Sequence, residues 1–110
     1  MKVLVLGDVH GWWKDMMTVI GNVKPDLVLQ VGDFGYFPRH AGYNPRGQVE
    51  SPVPIHWCDG NHEDHESLVA LRNGGERRAH EVAPNVFWQD RGSTILLPDG
   101  RVVLFIGGAD

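Results

Sequence analysis

A chain of 110 residues with a net charge of -4 and a single cysteine is one domain's worth, with room for a modest core but not for two independent ones. The acidic balance argues against a surface built to displace counterions from nucleic acid, and one cysteine excludes an internal disulfide and a thiolate-based zinc site. Met1-Lys2 leads directly into the apolar run 3–6, too short for a leader core or a bilayer span, so the expected setting is reducing and cytoplasmic, without a membrane partner.

Lys2 to Leu6 is a continuous, β-branched-rich apolar run ending at glycine, the pattern of a strand buried on both faces of a parallel sheet. Trp12, Trp13, Met16, Met17 and Ile20 then recur at helical spacing, predicting an amphipathic helix that stops near Gly21-Asn22, with the two tryptophans and two methionines packing against the core. Leu27 to Val31 is a second buried-type strand. Strand, helix, strand makes an α/β crossover unit. Residues 34–52 show no periodicity, and so long a loop is more often functional than idle.

Val53 to Cys58 is a third strand, with Pro52 and Pro54 confined to its start, where a missing donor is tolerated. Glu63 to Arg72 reads as a helix stopped by Gly74-Gly75, with Glu63, Asp64 and Glu66 as first-turn acids favoured by the helix dipole. A charged linker follows, then a short strand over Asn85 to Gln89. Thr94 to Leu97 and Arg101 to Ile106 form a hairpin through Pro98-Asp99-Gly100. Val102 to Ile106 is apolar at every position and so expects cover on both faces, with little sequence left to provide it.

In an open α/β sheet, ligands collect beyond the carboxyl ends of the strands. Three such ends here carry Asp8 and His10, then Asp33, then Asn61 and His62. On a locally extended backbone Asp8 and His10 point to one side, so both can reach one cation. A carboxylate such as Asp33 can bridge two, and Asn61 offers a neutral amide oxygen. This mixed oxygen and imidazole set suits Mn, Fe, Zn or Ni better than Mg or Ca alone, and the chemistry it implies is hydrolysis by a metal-activated water.

Asp8-Val9-His10, Gly32-Asp33 and Gly60-Asn61-His62-Glu63, in that order on three successive strand ends, resemble the first three motifs of the calcineurin-like metallophosphoesterases. Gly107-Gly108-Ala109 after a strand is similar to a later landmark of the family's smaller members. The resemblance implies the first half of an α/β/β/α sandwich, a layered sheet with flanking helices. It implies two divalent cations, with Asp8 and His10 on the first, Asp33 bridging both and Asn61 on the second. It also places His62 beside the phosphate of a mono- or diester substrate, where it protonates the leaving oxygen or stabilises the charge developing there.

Two departures from the family pattern bear on activity. Members supply further histidines from the second half of the chain, one alone and others in a Gly-His-x-His motif, whereas no histidine follows His80 here. The second cation is then left with Asp33 and Asn61 alone. The chain is therefore expected to be the N-terminal portion of such a hydrolase. The alternative is a truncated or degenerate metal-binding relative that self-associates or needs another polypeptide to complete its site. Gly32-Asp33 is also followed by Phe34-Gly35-Tyr36-Phe37 rather than by the Asp and Arg of the protein-phosphatase branch, which argues against a dedicated phosphoprotein phosphatase.

Arg39, His40 and Arg46 in the long loop are candidates to hold the substrate phosphate, or are scattered charges on a solvated loop. His62, Glu63 and His65 do not make a zinc-protease signature, because their histidines are three apart rather than four. His56, Trp57 and Cys58 lie within a strand and read as structural. A nucleotide-binding module is disfavoured, since neither the Gly7–Gly11 loop nor the Gly32–Gly35 loop carries a phosphate-binding glycine or lysine motif.

Overall fold

The structure, a computed structural model, describes residues 1–72 and 78–107. In chain order these form β1 (Val3–Leu6), α1 (Trp13–Val23), β2 (Leu27–Gln30), β3 (Ile55–Trp57), α2 (His65–Leu71), β4 (Ala79–Ala83), β5 (Val86–Gln89), β6 (Thr94–Leu96) and β7 (Val102–Leu104). Five strands make one mixed sheet in the order β1-β2-β3-β5-β4, parallel except for β4, and β6 pairs with β7 in a separate antiparallel ribbon. The expected α/β unit is present. A mixed sheet with two helices is consistent with part of the layered sandwich.

Alternation along the strands sorts the side chains onto two faces. Leu4, Val28, Ile55 and Val86 lie in register on one face, as do Leu6, Gln30, Trp57 and Trp88. Against this face pack Trp13, Met16 and Ile20 of α1, Leu68 of α2, and Phe34, Tyr36 and Val49 of the long loop. Phe34 stacks on Trp57 with ring centroids 4.6 Å apart. The aperiodic loop is therefore part of the core, and its first residues are held where β2 ends.

The opposite face carries the in-register row Val5, Leu29, His56 and Phe87. It is covered only in part, and Val5 is 59% exposed. This corrects the expectation of a β1 buried on both faces: β1 is an edge strand, packed through Leu4 and Leu6 alone. A groove of about 430 Å³, lined by Leu27, His56, Ile95 and Leu97 among others, separates this face from the β6–β7 ribbon. In the ribbon Ile95 and Val103 are cross-strand partners and half-buried, while Leu96, Val102 and Leu104 are exposed. The hairpin forms as expected, with shorter strands; of the apolar run after the turn, Phe105 is buried and Val103 half-buried, so cover is lacking on one side only.

β3 is shorter than expected, at Ile55–Trp57, and other boundaries differ for identifiable reasons. α1 runs past Gly21 to Val23 and ends at Lys24, whose left-handed backbone (φ 54°) lets its N–H reach Ile20 O at 2.8 Å, while Lys2 Nζ donates to Val23 O at 2.9 Å. Trp12 precedes the helix and is exposed rather than packed. α2 begins two residues later than expected, at His65, because Asp64 is its N-cap, accepting from Ser67 N (3.3 Å) and Ser67 Oγ (2.8 Å). The expected stop at Gly74-Gly75 lies outside the described residues, as do Gly108-Ala109. The expected linker contains β4, in which His80 and Val82 point inward and Glu81 outward; the charges around it obscured a five-residue alternation. Among the described residues no helix is long and apolar enough to cross a membrane.

Candidate metal centre

The ends of β1, β2 and β3 do not fray into independent loops. Beyond the strands the parallel ladder continues, with Asp8 N donating to Gly32 O (3.2 Å), His10 N to Asp33 O (2.7 Å) and Gly11 N to Phe34 O (2.9 Å). Buried Gln30 clamps the turn before Asp33 through both sides of its amide, Nε2 to Gly32 O at 2.5 Å and Gly32 N to Oε1 at 3.2 Å. Asp8, His10 and Asp33 all have positive φ, at 52°, 51° and 52°. Asp and His tolerate this left-handed region better than most residues, and such conformations cluster at functional sites. The backbone at Asp8 and His10 is therefore not extended, as the spacing suggested, yet the turn still brings His10 Nε2 to 3.8 Å from Asp8 Oδ1.

Asp33 is the hub. His10 Nε2 lies 3.8 Å from its Oδ2, His62 Nδ1 lies 3.2 Å from the same oxygen, and the His62 backbone N–H donates to its Oδ1 at 2.9 Å. Burial alone would raise the Asp33 carboxyl, but the His62 N–H and the His62 ring outweigh it and hold the group below the usual carboxylate range. One ligand atom from each of His10, Asp33 and His62 lies within 4.8 Å of the other two. Ligands about 2.1 Å from a shared cation, in tetrahedral to octahedral array, are roughly 3 to 3.4 Å apart. The His62–Asp33 spacing already falls in this range and the others are somewhat longer, a donor set capable of coordinating one cation.

Not every candidate joins this cluster. Asp8 reaches its edge, with a carboxylate that is largely exposed and 3.8 Å from His10 Nε2. Asn61 is exposed on the turn between Gly60 and His62. Arg39 makes a two-pronged ion pair with Asp64 (2.7 and 2.8 Å) and reaches Glu66 at 3.1 Å. That pairing holds the Asp64 carboxyl down to about 2. Arg46 Nη2 donates to Glu81 O at 3.1 Å, and His40 is exposed beside the Phe37 ring. His56 and Trp57 are structural as expected: His56 Nδ1 meets Gln89 Nε2 at 2.8 Å and its ring stacks on Phe87, while Trp57 is buried. Burial pushes the half-buried Cys58 thiol up.

Glu63 is the residue whose role the sequence hid. It is not a first-turn acid of α2 but lies before the helix, 5% exposed. Its Oε1 accepts from Gly35 N (2.8 Å) and Tyr36 N (3.0 Å), and its Oε2 from Phe34 N and Gly60 N (both 3.0 Å). Burial pushes the Glu63 carboxyl up, opposed by these four amides. Asp59, next to Gly60, is also buried, accepting from Trp88 Nε1 (3.2 Å) and Arg91 Nη2 (3.0 Å).

No curated protein matches the chain. The family model for calcineurin-like phosphoesterases matches residues 1–109, a span that takes in all three strand ends and every residue of the cluster. Since that match covers nearly the whole chain, this protein belongs to the calcineurin-like phosphoesterase family.

Proposed function

We propose that this chain is a metal-binding phosphoesterase unit that holds one divalent cation by itself. In this reading, hydrolysis of a phosphate mono- or diester requires a second cation, whose remaining ligands come from another polypeptide or from further residues. The observation that carries the reading is the convergence of His10, Asp33 and His62 at ligand spacing. Asp8, 3.8 Å from His10 Nε2, is the proposed fourth ligand. Two imidazoles and carboxylate oxygen favour Mn, Fe, Zn or Ni.

A cation bound at such a centre supplies electrophilic stabilisation of a phosphoryl oxygen and lowers the pKa of water. The chain's own residues supply the geometry. Asp33 is fixed by the His62 N–H on Oδ1, and its Oδ2 faces the His10 and His62 rings; Asn61, exposed on the turn before His62, is the proposed neutral donor to the second cation. With a second cation held, His62 would leave the first to Asp8, His10 and Asp33 and would face the ester, where it would give a proton to the leaving oxygen. His40 is exposed and can meet the ester directly, whereas anchoring by Arg39 requires release of Asp64 and Glu66, and anchoring by Arg46 requires release of Glu81 O. A cytoplasmic setting belongs to the same proposal, motivated by the single unpaired thiol.

Calorimetric titration with Mn²⁺ and Zn²⁺, paired with turnover of an aryl phosphate and an aryl phosphodiester, tests this. One cation per chain, abolished by Asp33→Asn, with little or no turnover, is the expected result. Two tightly held cations with turnover by the chain alone would establish the two-cation hydrolase in its place. Failure to bind either metal would overturn both readings.

A further inference from the structure

We propose that Glu63 is the positioning residue of the metal centre, a buried latch that fixes the ligand-bearing loops before any cation arrives. The inference rests on the metal-site reading above but concerns a residue that is not a ligand. A carboxylate has about four lone-pair sites, and four backbone N–H groups fill them at 2.8 to 3.0 Å. Glu63 has no acceptor capacity left for a metal. Everything it holds, however, belongs to the site.

Phe34, Gly35 and Tyr36 directly follow Asp33, and Gly60 lies two residues before His62. One side chain thus joins the loop after β2 to the loop after β3. The third loop is tied in by contact: Gly35 (φ 94°) packs so tightly on the backbone of His10 and Gly11 that a β-carbon there would lie 2.7 Å from the His10 carbonyl carbon. Gly11 N also donates to Phe34 O, and Asp64 N to Tyr36 O at 2.7 Å. The left-handed turns at Asp33 and His10 are conformations a free loop would leave, so an external restraint is needed to keep them. Glu63 supplies it to both sides at once.

Glutamine cannot replace it. Each carboxylate oxygen accepts two N–H groups, so whichever way a glutamine amide at this position is turned, its NH₂ faces two donors. One pair is lost, either Gly35 and Tyr36 or Phe34 and Gly60. Groups that orient metal ligands without touching the metal change its affinity by roughly 10- to 100-fold.

The test titrates the parent protein, Glu63→Gln and, as a control of unrelated destabilisation, Val86→Ala with Co²⁺. Affinity and the visible absorption of the bound ion are read at a temperature where circular dichroism shows each variant folded. Glu63→Gln is expected to weaken Co²⁺ binding by roughly 10- to 100-fold and to alter the spectrum, while Val86→Ala leaves both unchanged. Equal affinity in folded Glu63→Gln would overturn the latch, leaving Glu63 merely structural. A second measurement needs no variant: amide hydrogen exchange at Phe34, Gly35, Tyr36 and Gly60 in the metal-free parent. Slow exchange that Zn²⁺ does not slow further supports a preformed latch, and fast exchange that only Zn²⁺ suppresses overturns it. If the parent takes up neither ion, the metal-site reading fails, and amide exchange alone decides the latch.

Discussion

Gly60 and Asp33 touch so closely that no side chain fits between them: a β-carbon on Gly60 would lie 2.5 Å from Asp33 N and 2.9 Å from its Cγ. The glycine of the third strand end is thus part of the surface that seats the central carboxylate of the second. Gly60→Ala is expected to displace the Asp33 carboxylate, lower stability by about 1 to 3 kcal/mol through overpacking, and weaken Mn²⁺ or Zn²⁺ binding at least tenfold. Calorimetry on the folded variant, with denaturant unfolding beside it, checks both parts. Undiminished metal affinity would show that Asp33 is not seated by this contact.

Asp33→Asn separates charge from shape. The amide oxygen can still accept the His62 N–H, so unfolding free energy should stay within about 1 kcal/mol of the parent without metal. The stabilisation that metal confers should vanish, because it depends on differential binding to the folded state. Melting curves with and without Zn²⁺ measure this directly; a metal-dependent rise in Tm for Asp33→Asn would place the binding site elsewhere.

Stability should fall as pH drops below about 6.5. Burial depresses the pKa of His56 and of His80. On unfolding both return to ordinary values near 6.5, so from that pH downward the unfolded chain holds more protons than the folded one. Asp64 acts in a different window: its contribution is complete above its ordinary carboxyl pKa and is lost only as pH falls towards about 2. Tm recorded from pH 8 to 5 should therefore decline through the histidines, with buried Glu63, whose carboxyl is pushed up, acting in the opposite sense. His56→Gln should flatten part of that slope, and a Tm independent of pH in that range would contradict the buried neutral histidines.

Arg72 is expected to be costly to remove. Its guanidinium makes two hydrogen bonds to the Asp90 carboxylate, at 2.6 and 2.8 Å, and Asp90 is fully buried. Arg72→Ala takes away two charge-assisted hydrogen bonds to a buried carboxylate, which costs about 1 to 3 kcal/mol. By contrast, Val102→Lys on the exposed side of the β6–β7 ribbon should change stability by no more than about 0.5 kcal/mol. Urea unfolding of the two variants compares them, and similar losses would mean that the exposed ribbon face is covered in solution.

What could be read from the chain was what repeats locally. Apolar runs ending in Gly7-Asp8, Gly32-Asp33 and Gly60-Asn61 marked three parallel strands and the edge where they end, because both strand burial and strand termination leave marks within a few residues. Glu63 left none. Its partners at Phe34, Gly35 and Tyr36 are 27 to 29 residues away and are backbone amides, which no side-chain pattern displays. The same holds for Arg39, whose pairing with Asp64 spans 25 residues and makes a loop cation look free in sequence. β4, the longest of the described strands, was missed for a different reason: Glu81 interrupts it and charged residues precede it, so it does not stand out as an apolar run.

The ladder that continues past the strand ends has a consequence for folding order. Each link of the site joins residues distant in the chain: His10 with Asp33 and Gly11 with Phe34 across one crossover, His62 with Asp33 across the next. No helix or hairpin formed by itself brings any two of the three proposed ligands together, and long loop closures of this kind come late and slowly. Cation uptake should therefore trail the appearance of helical signal during refolding. A bound metal would then serve as a clock for the moment at which β1, β2 and β3 have docked side by side.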